Sequence, residues 1–204
     1  MTRAIGEVVM KLSDGERTVN VRGTAAMPKN EGEGAAREQQ SLRALIEHIV
    51  QSHHVFTRDA VAKIEDALPS VIDAHAKEHP EIIAVARGAR ALCDDLLPHL
   101  MREERVLFPW IEAAEASRDR GVAPPPAHFG TVKNPIRVMD HDHDVVQSLL
   151  SELRASTKEY DAPEWASAPC RELYRLLQAL DSDLREHIHW ESDVLFVRAL
   201  SLEA

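Results

Sequence analysis

Apolar side chains recur at steps of three and four along most of the chain, which is the periodicity of helices with one buried face. Proline and glycine interrupt this pattern at a few points, and Pro69 predicts a break or kink inside the first helical region. The pattern predicts an all-α protein in which short connections join four helices into an up-down-up-down four-helix bundle. The helices are expected at about residues 38–79, 81–118, 134–160 and 163–200.

The N-terminal residues have a different character. Two short, partly β-branched runs flank the polar residues 13–16, which predicts a small β-hairpin. Residues 23–36 are rich in glycine, lysine and glutamate, as flexible linkers are. We therefore expect an N-terminal appendage at residues 1–37 and the helical bundle at residues 38–204.

Composition narrows the class of protein. The formal net charge is −10 and no cluster of lysine and arginine stands out, so nucleic acid and anionic membranes are poor candidate partners. No apolar run approaches the roughly 20 residues of a membrane span, and the N-terminus lacks a signal pattern, which favours a cytoplasmic location. Cys93 and Cys170 form no motif, and we interpret both as packing residues. The sequence leaves open whether the protein is a monomer or a dimer.

One local motif occurs twice. Residues 99–108 and 187–196 share the pattern H-x-x-x-E-x-x-V-L-F. A helix brings positions i and i+4 onto one face, so the histidine and the glutamate of each copy point the same way. The two pairs are His99 with Glu103 and His187 with Glu191.

Both pairs lie on the apolar stripe that is expected to face the bundle core. On the second helix the stripe consists of Leu92, Leu96, His99, Glu103, Leu107 and Trp110. On the fourth helix it consists of Leu173, Leu177, Leu180, Leu184, His187, Glu191 and Leu195. A buried carboxylate costs several kcal/mol unless it is paired or bound to metal, so two such pairs on different helices indicate a shared site for cations.

The other two helices each offer a histidine to the same site. On the third helix His143 lies on the apolar stripe, whereas His141 is expected to face solvent. On the first helix the periodicity fits both His53 and His54 and does not choose between them. Depth along the helices, at about 1.5 Å per residue, places His75 at the far end of the bundle.

Four histidines and two carboxylates are an informative set of ligands. Imidazole and carboxylate suit iron or manganese, whereas structural zinc more often recruits cysteine. Six ligands exceed the need of one tetrahedral ion and suit two metal ions bridged by Glu103 and Glu191. The ferritin-like di-iron bundles use Glu-x-x-His and more carboxylates, so this set belongs to a different class.

Several segments together resemble the hemerythrin-like superfamily and, more closely, the iron–sulfur cluster repair di-iron proteins of the RIC family. The similarity covers about residues 42–200. It is carried by the two H-x-x-x-E motifs, by residues 54–58 with Leu68-Pro69, by residues 75–81, by residues 135–139 with His143-Asp144, and by residues 149–160.

This resemblance implies a hemerythrin-like bundle that binds two iron ions, bridged by carboxylates and by an oxo or hydroxo group. It places the ligand of the first helix at His54 rather than at His53. The family also has a histidine at the position of His75. The implied metal ligands are His54, His99, Glu103, His143, His187 and Glu191.

The resemblance also implies a function in the repair of iron–sulfur clusters damaged by oxidative or nitrosative stress, with damaged iron–sulfur proteins as partners. One alternative is a hemerythrin-like protein that binds or senses O2 or NO at the iron centre. Another is an oxidase, or a reductase that acts on NO. No nucleophile–base triad or phosphate-binding loop is evident, which argues against a hydrolase or a kinase.

Overall fold

The computed structural model describes residues 39–203. Four long helices form a bundle within this part of the chain, and none of its residues is in a strand. The prediction of an all-α four-helix bundle is confirmed. The predicted hairpin and linker at residues 1–37, and their boundary with the bundle, lie outside the described residues and stay predictions.

Three of the four helices contain one widened, π-helical turn. Helix α1 comprises Leu42–Ile49, the π-helical turn Val50–His54 and Val55–His75. Helix α2 comprises Ile82–Arg102, the π-helical turn Glu103–Leu107 and Phe108–Asp119. Helix α3 is Lys133–Thr157, without interruption. Helix α4 comprises Ala168–Ile188, the π-helical turn His189–Leu195 and Phe196–Leu200, and a short 3-10 turn follows at Ser201–Glu203.

The helices pack in the order that an up-down-up-down bundle requires. Helix α1 lies against α2 and α4, and α2 lies against α3. The fourth side of the bundle is looser, because fewer close contacts join α3 to α4.

Side chains close the N-terminus of helix α1. The hydroxyl of Ser41 accepts a hydrogen bond from the amide of Ala44 at 3.1 Å. The buried carboxylate of Glu115, on α2, accepts from the amides of Leu42 at 2.7 Å and Arg43 at 2.9 Å. These amides have no partner within their own helix, so Glu115 both caps α1 and ties it to α2.

The predicted break at Pro69 and the predicted start of the fourth helix are wrong. Helix α1 is not broken at Pro69, whose side chain lies on the exposed face, where water can bind the carbonyl that loses its amide partner. Helix α4 begins at Ala168 instead of near residue 163, because Ser167 caps it by accepting from the amide of Cys170 at 3.4 Å. The other helix ends lie within four residues of the prediction.

A polar layer divides the apolar core into two clusters. One cluster, which includes Leu68, Ile82 and Leu173, fills the half of the bundle next to the turn between α1 and α2. The other, which includes Leu42 and Phe196, fills the opposite half. The predicted stripes of α2 and α4 are buried throughout, so their histidines and glutamates form the layer between the clusters.

The two cysteines are packing residues, as predicted. Cys93 and Cys170 are free and buried in the first apolar cluster. Burial raises the pKa of the Cys93 thiol to about 12 and also raises the pKa of Cys170, so both thiols stay protonated and unreactive. Across residues 39–203, no helix combines the length and the apolar character needed to cross a membrane.

Candidate metal centre

The widened turns carry three of the side chains that meet in the polar layer. His54 is the last residue of the π-helical turn in α1, and Glu103 is the first residue of the turn in α2. Glu191 lies inside the longer turn of α4. Such turns hold one more residue than an α-helical turn and are frequent at functional sites. Helix α3 supplies His143 from a regular α-helix.

All six predicted ligand residues converge, and they do so in two groups. In the first group His54 Nε2 lies 3.4 Å from Glu103 Oε2 and 3.6 Å from Glu191 Oε1. His187 Nε2 lies 2.9 Å from the same Glu191 Oε1 and 3.2 Å from His54 Nε2. The four ligand atoms lie within 4.8 Å of one another, which is close enough to surround one metal ion.

The second group uses the remaining oxygen of each carboxylate. His99 Nε2 lies 3.3 Å from Glu103 Oε1, and His143 Nε2 lies 3.1 Å from Glu191 Oε2. These four atoms also lie within 4.8 Å of one another. Each carboxylate therefore presents one oxygen to each group. We call the six residues the central cluster.

The central cluster is buried and short of hydrogen bonds. Glu103 and Glu191 are both 0% exposed. Neither oxygen of Glu103 has a hydrogen-bond partner, and Glu191 Oε2 and His143 Nε2 also have none. Buried polar atoms almost always have partners, because leaving them without one costs about 1–3 kcal/mol each. Cations between the two carboxylates would satisfy these atoms, so the donor set fits a metal site.

Charge couples the members of the central cluster. Burial disfavours the charged form of His54, but the neighbouring carboxylates of Glu103 and Glu191 outweigh it and raise the pKa of His54 to about 10. The same balance, with burial opposed mainly by Glu103, raises the pKa of His99 to about 9. Burial opposes the charged form of Glu191, yet His187 and the other imidazoles hold its pKa well below the usual range. Without a cation, His54 and His99 therefore carry protons at neutral pH, and a cation must displace them.

Three of the four imidazoles are oriented by a partner on Nδ1. The carboxylate of Glu104 lies 2.6 Å from His54 Nδ1, and that of Asp142 lies 3.3 Å from His99 Nδ1. The hydroxyl of Ser192 lies 3.0 Å from His143 Nδ1. Such partners fix the ring and its tautomer in histidines that bind metal. Sequence reasoning missed all three, because helical periodicity gives no direct signal for contacts between different helices.

The structure also places the histidines outside the central cluster. His53 is buried, and its ring stacks on His187, but it belongs to neither group of ligand atoms. His75 lies at the far end, as depth predicted, with Nε2 2.9 Å from the hydroxyl of Ser167. His141 is exposed, as predicted.

A cleft of about 790 Å³ runs between α3 and α4, on the loosely packed side of the bundle. His143 and Ser192 line it beside the central cluster, and Asp140 lies near them. Arg154 and Arg185 line it further along. The cleft therefore brings solvent next to the second group of the central cluster.

The bundle and its centre define a class: helical proteins in which histidines and carboxylates from all four helices could hold metal ions in the core. The chain belongs to the hemerythrin family, since the model of the hemerythrin HHE cation binding domain matches residues 44–199. It is 34% identical over 164 residues to the iron-sulfur cluster repair protein DnrN of Neisseria gonorrhoeae, covering 80% of this chain and 94% of that relative. It is 31% identical over 163 residues to the iron-sulfur cluster repair protein YtfE of Dickeya chrysanthemi, covering 80% of this chain and 68% of the relative.

Proposed function

We propose that the central cluster binds two iron ions and that Glu103 and Glu191 bridge them. The supporting observation is the pair of fully buried carboxylates, which direct their oxygens to two different pairs of histidines. Three of their four oxygens have no hydrogen bond. The proposed ligands are His54 and His187 for one ion, His99 and His143 for the other, and both glutamates for the two together.

The donors support iron as the metal. Imidazole nitrogens with carboxylate oxygens suit iron, and the family match is to a cation binding domain. Both cysteines lie away from the cluster, so no thiolate competes for a softer ion. The two carboxylate bridges can change between bridging and terminal binding, which suits iron that is held and then released.

The iron centre would serve the repair of iron–sulfur clusters damaged by oxidative or nitrosative stress, with damaged iron–sulfur proteins as partners. Both relatives described above are named iron-sulfur cluster repair proteins. In this function iron is also the cargo, which the chain delivers to a cluster that has lost it. The cleft between α3 and α4 lies beside the second group and gives a path between that group and solvent.

The metal site is tested by elemental analysis and Mössbauer spectroscopy of the iron-loaded full-length chain. We expect about two irons per chain, magnetically coupled through their bridges. Glu103→Gln should bind at most about one iron and lose the coupling, because a neutral amide is a poor bridge. The matched control is Glu115→Gln, a buried carboxylate on the same helix that caps α1, which should keep two irons. A Glu103→Gln protein that keeps the coupled pair would contradict the proposed bridging.

The repair function is tested with an enzyme whose iron–sulfur cluster has been damaged by NO. Iron-loaded protein should restore its activity, and the Glu103→Gln protein should not. Failure to reactivate, with the iron pair intact, would count against repair. Reversible optical changes with O2 or NO would then favour a binding or sensing protein, and turnover of NO to nitrous oxide would favour a reductase.

A further inference from the structure

His187 differs from the other three histidines of the central cluster in how its ring is supported. Its Nε2 points to Glu191, but its Nδ1 is buried and has no hydrogen-bond partner in the described chain. The rings of His54, His99 and His143 each have a partner on Nδ1. Metal-binding histidines are ordinarily oriented from that nitrogen, so another contact must hold His187.

The ring of His53 supplies such a contact. Its plane lies 3° from the plane of the His187 ring, with 5.4 Å between the ring centroids. This spacing is typical of offset stacking between flat rings. The stack is buried, since His53 is 5% exposed and His187 is 2% exposed. The stacked ring of His53 therefore opposes rotation of the His187 ring on one of its faces.

His53 is itself held in place from a second helix. Its Nδ1 lies 2.9 Å from Asp183 Oδ1, on α4 one turn before His187. The ring of His48 meets its edge, with 5.7 Å between centroids and an angle of 80° between planes. His53, on α1, is thus fixed by Asp183 of α4, and its ring lies flat on the ring of His187, also on α4.

We propose that His53, anchored by Asp183, is a positioning residue that holds the imidazole of His187 in its metal-binding orientation by stacking. At the other three histidines, a side chain hydrogen-bonded to Nδ1 orients the ring; at His187, the stacked ring of His53 does so. The first-helix pair His53 and His54 therefore has two functions, one residue supporting a ligand and the next being a ligand. The inference rests on the proposed iron site, because orientation of His187 matters only if that ring binds metal.

Two substitutions separate the flat ring from the hydrogen bond. His53→Phe and His53→Leu both remove the hydrogen bond to Asp183, and both fill the position with a large apolar side chain. Only phenylalanine keeps a ring that can stack. The experiment loads the full-length variants with ferrous iron without oxygen and follows transfer of iron to a coloured ferrous chelator. The melting temperature of each metal-free variant reports whether the bundle itself is weakened.

In His53→Leu, about one of the two irons should leave about 10 to 100 times faster than from the unaltered protein, the range typical of lost support around a metal ligand. The other iron, held by His99 and His143, should leave at the normal rate. His53→Phe should stay within about threefold of the unaltered protein for both irons. Asp183→Ala keeps all the rings and removes the same anchor as His53→Phe, so it should behave like His53→Phe, with iron leaving the His187 half up to about threefold faster; an unchanged rate would overturn the anchor. The control is His79→Ala, which removes a stacked imidazole at the far end of the bundle and should change neither rate.

Equal release from His53→Leu and the unaltered protein would overturn the proposal. So would faster loss of both irons together with a lower melting temperature, since that is the effect of a generally loosened bundle. Release from His53→Phe as fast as from His53→Leu would overturn the stacking. If the unaltered protein takes up no iron, the proposed metal site fails and this inference fails with it; if it takes up two irons, these outcomes concern His53 alone.

Discussion

The bundle contains two groups of histidines, and their surroundings differ sharply. The central cluster has four imidazoles around two carboxylates that are fully buried. The other set of histidines lies at the far end of the bundle. It consists of His75 and His79 with Trp165, and we call it the distal cluster. The ring of His79 stacks on Trp165 with 3.9 Å between centroids, and that of His75 lies 5.0 Å from the same indole. All three side chains are half-buried.

The difference lies in the carboxylates more than in the histidines. In the distal cluster the polar atoms have ordinary partners, since His75 Nε2 lies 2.9 Å from the Ser167 hydroxyl. The carboxylate that approaches His79, that of Glu81, is itself exposed. In the central cluster the carboxylates are buried away from solvent, and three of their four oxygens have no hydrogen-bond donor. Histidine alone is therefore weak evidence of a metal site, whereas buried carboxylates without partners are strong evidence.

The largest expected effect comes from removing one imidazole from either half of the central cluster. His54→Ala and His143→Ala each take a ligand from a different half, so each should bind about one iron instead of two. We expect the affinity of the affected half to fall by more than about a hundredfold, since even support around a ligand is worth about 10- to 100-fold. Titration with ferrous iron, followed by elemental analysis, measures both stoichiometry and affinity.

The same titration on His75→Ala sharpens the contrast between the two histidine groups. The family has a histidine at this position, which makes His75 a candidate ligand. In the structure, however, its imidazole lies away from the central cluster. It should leave the number of irons and their affinity unchanged. Loss of iron from His75→Ala, at a normal melting temperature, would mean that the distal cluster takes part in binding metal.

A second prediction concerns protons. In the metal-free protein the pKa of His54 is about 10 and that of His99 is about 9, so both rings carry a proton at pH 7. Metal binds the neutral ring, so loading at pH 7 should release about two protons from these rings. The affinity for each iron should then rise with pH, by up to about tenfold per unit, because each ion displaces one of these protons; the rise should level off above about pH 9 at the His99 half and above about pH 10 at the His54 half.

Calorimetry in buffers with different heats of ionisation measures this release directly. The same pKa values predict that the metal-free bundle becomes less stable as pH rises from about 7 towards 10, because the stabilising charge of His54 and His99 is lost. Thermal melting across this range measures that change. Iron binding without proton release, or with an affinity that falls as pH rises, would contradict the protonation of His54 and His99 at pH 7.

The sequence was sufficient for the periodic features of the molecule. Steps of three and four put His99, Glu103 and His143 on the buried faces of their helices, and the structure has them there. Depth along the helices separated His75 from the others, because a rise of about 1.5 Å per residue is nearly constant. The order of the helices followed from their number and their short connections.

Periodicity could not supply the features that depend on contacts between helices. On helix α1 it left His53 and His54 as alternatives, and both prove to be buried, because the π-helical turn Val50–His54 widens the inward face. Glu104 looks like an ordinary surface residue beside Glu103, yet it binds His54 from another helix. No local rule of sequence predicts where a helix widens, so these contacts appear only when the helices are packed together.

The smallest effect is expected at the distal cluster, where Ser167 serves two groups at once. Its hydroxyl caps helix α4 and also lies next to His75 Nε2. Ser167→Ala should lower the free energy of unfolding by about 0.5–2 kcal/mol, as the loss of a helix cap does. For a bundle of this size that corresponds to a few degrees in melting temperature. Ser70→Ala, on an exposed face of α1, is the control and should have almost no effect.

Iron binding decides what this result means for the two clusters. If the distal cluster only stabilises the bundle, Ser167→Ala should melt earlier and still bind iron with the same stoichiometry and affinity. A parallel loss of iron would indicate that order at the far end of α4 is transmitted along the helix to His187, and the two clusters would no longer be independent. The distance between them, and the apolar cluster that separates them, lead us to expect independence.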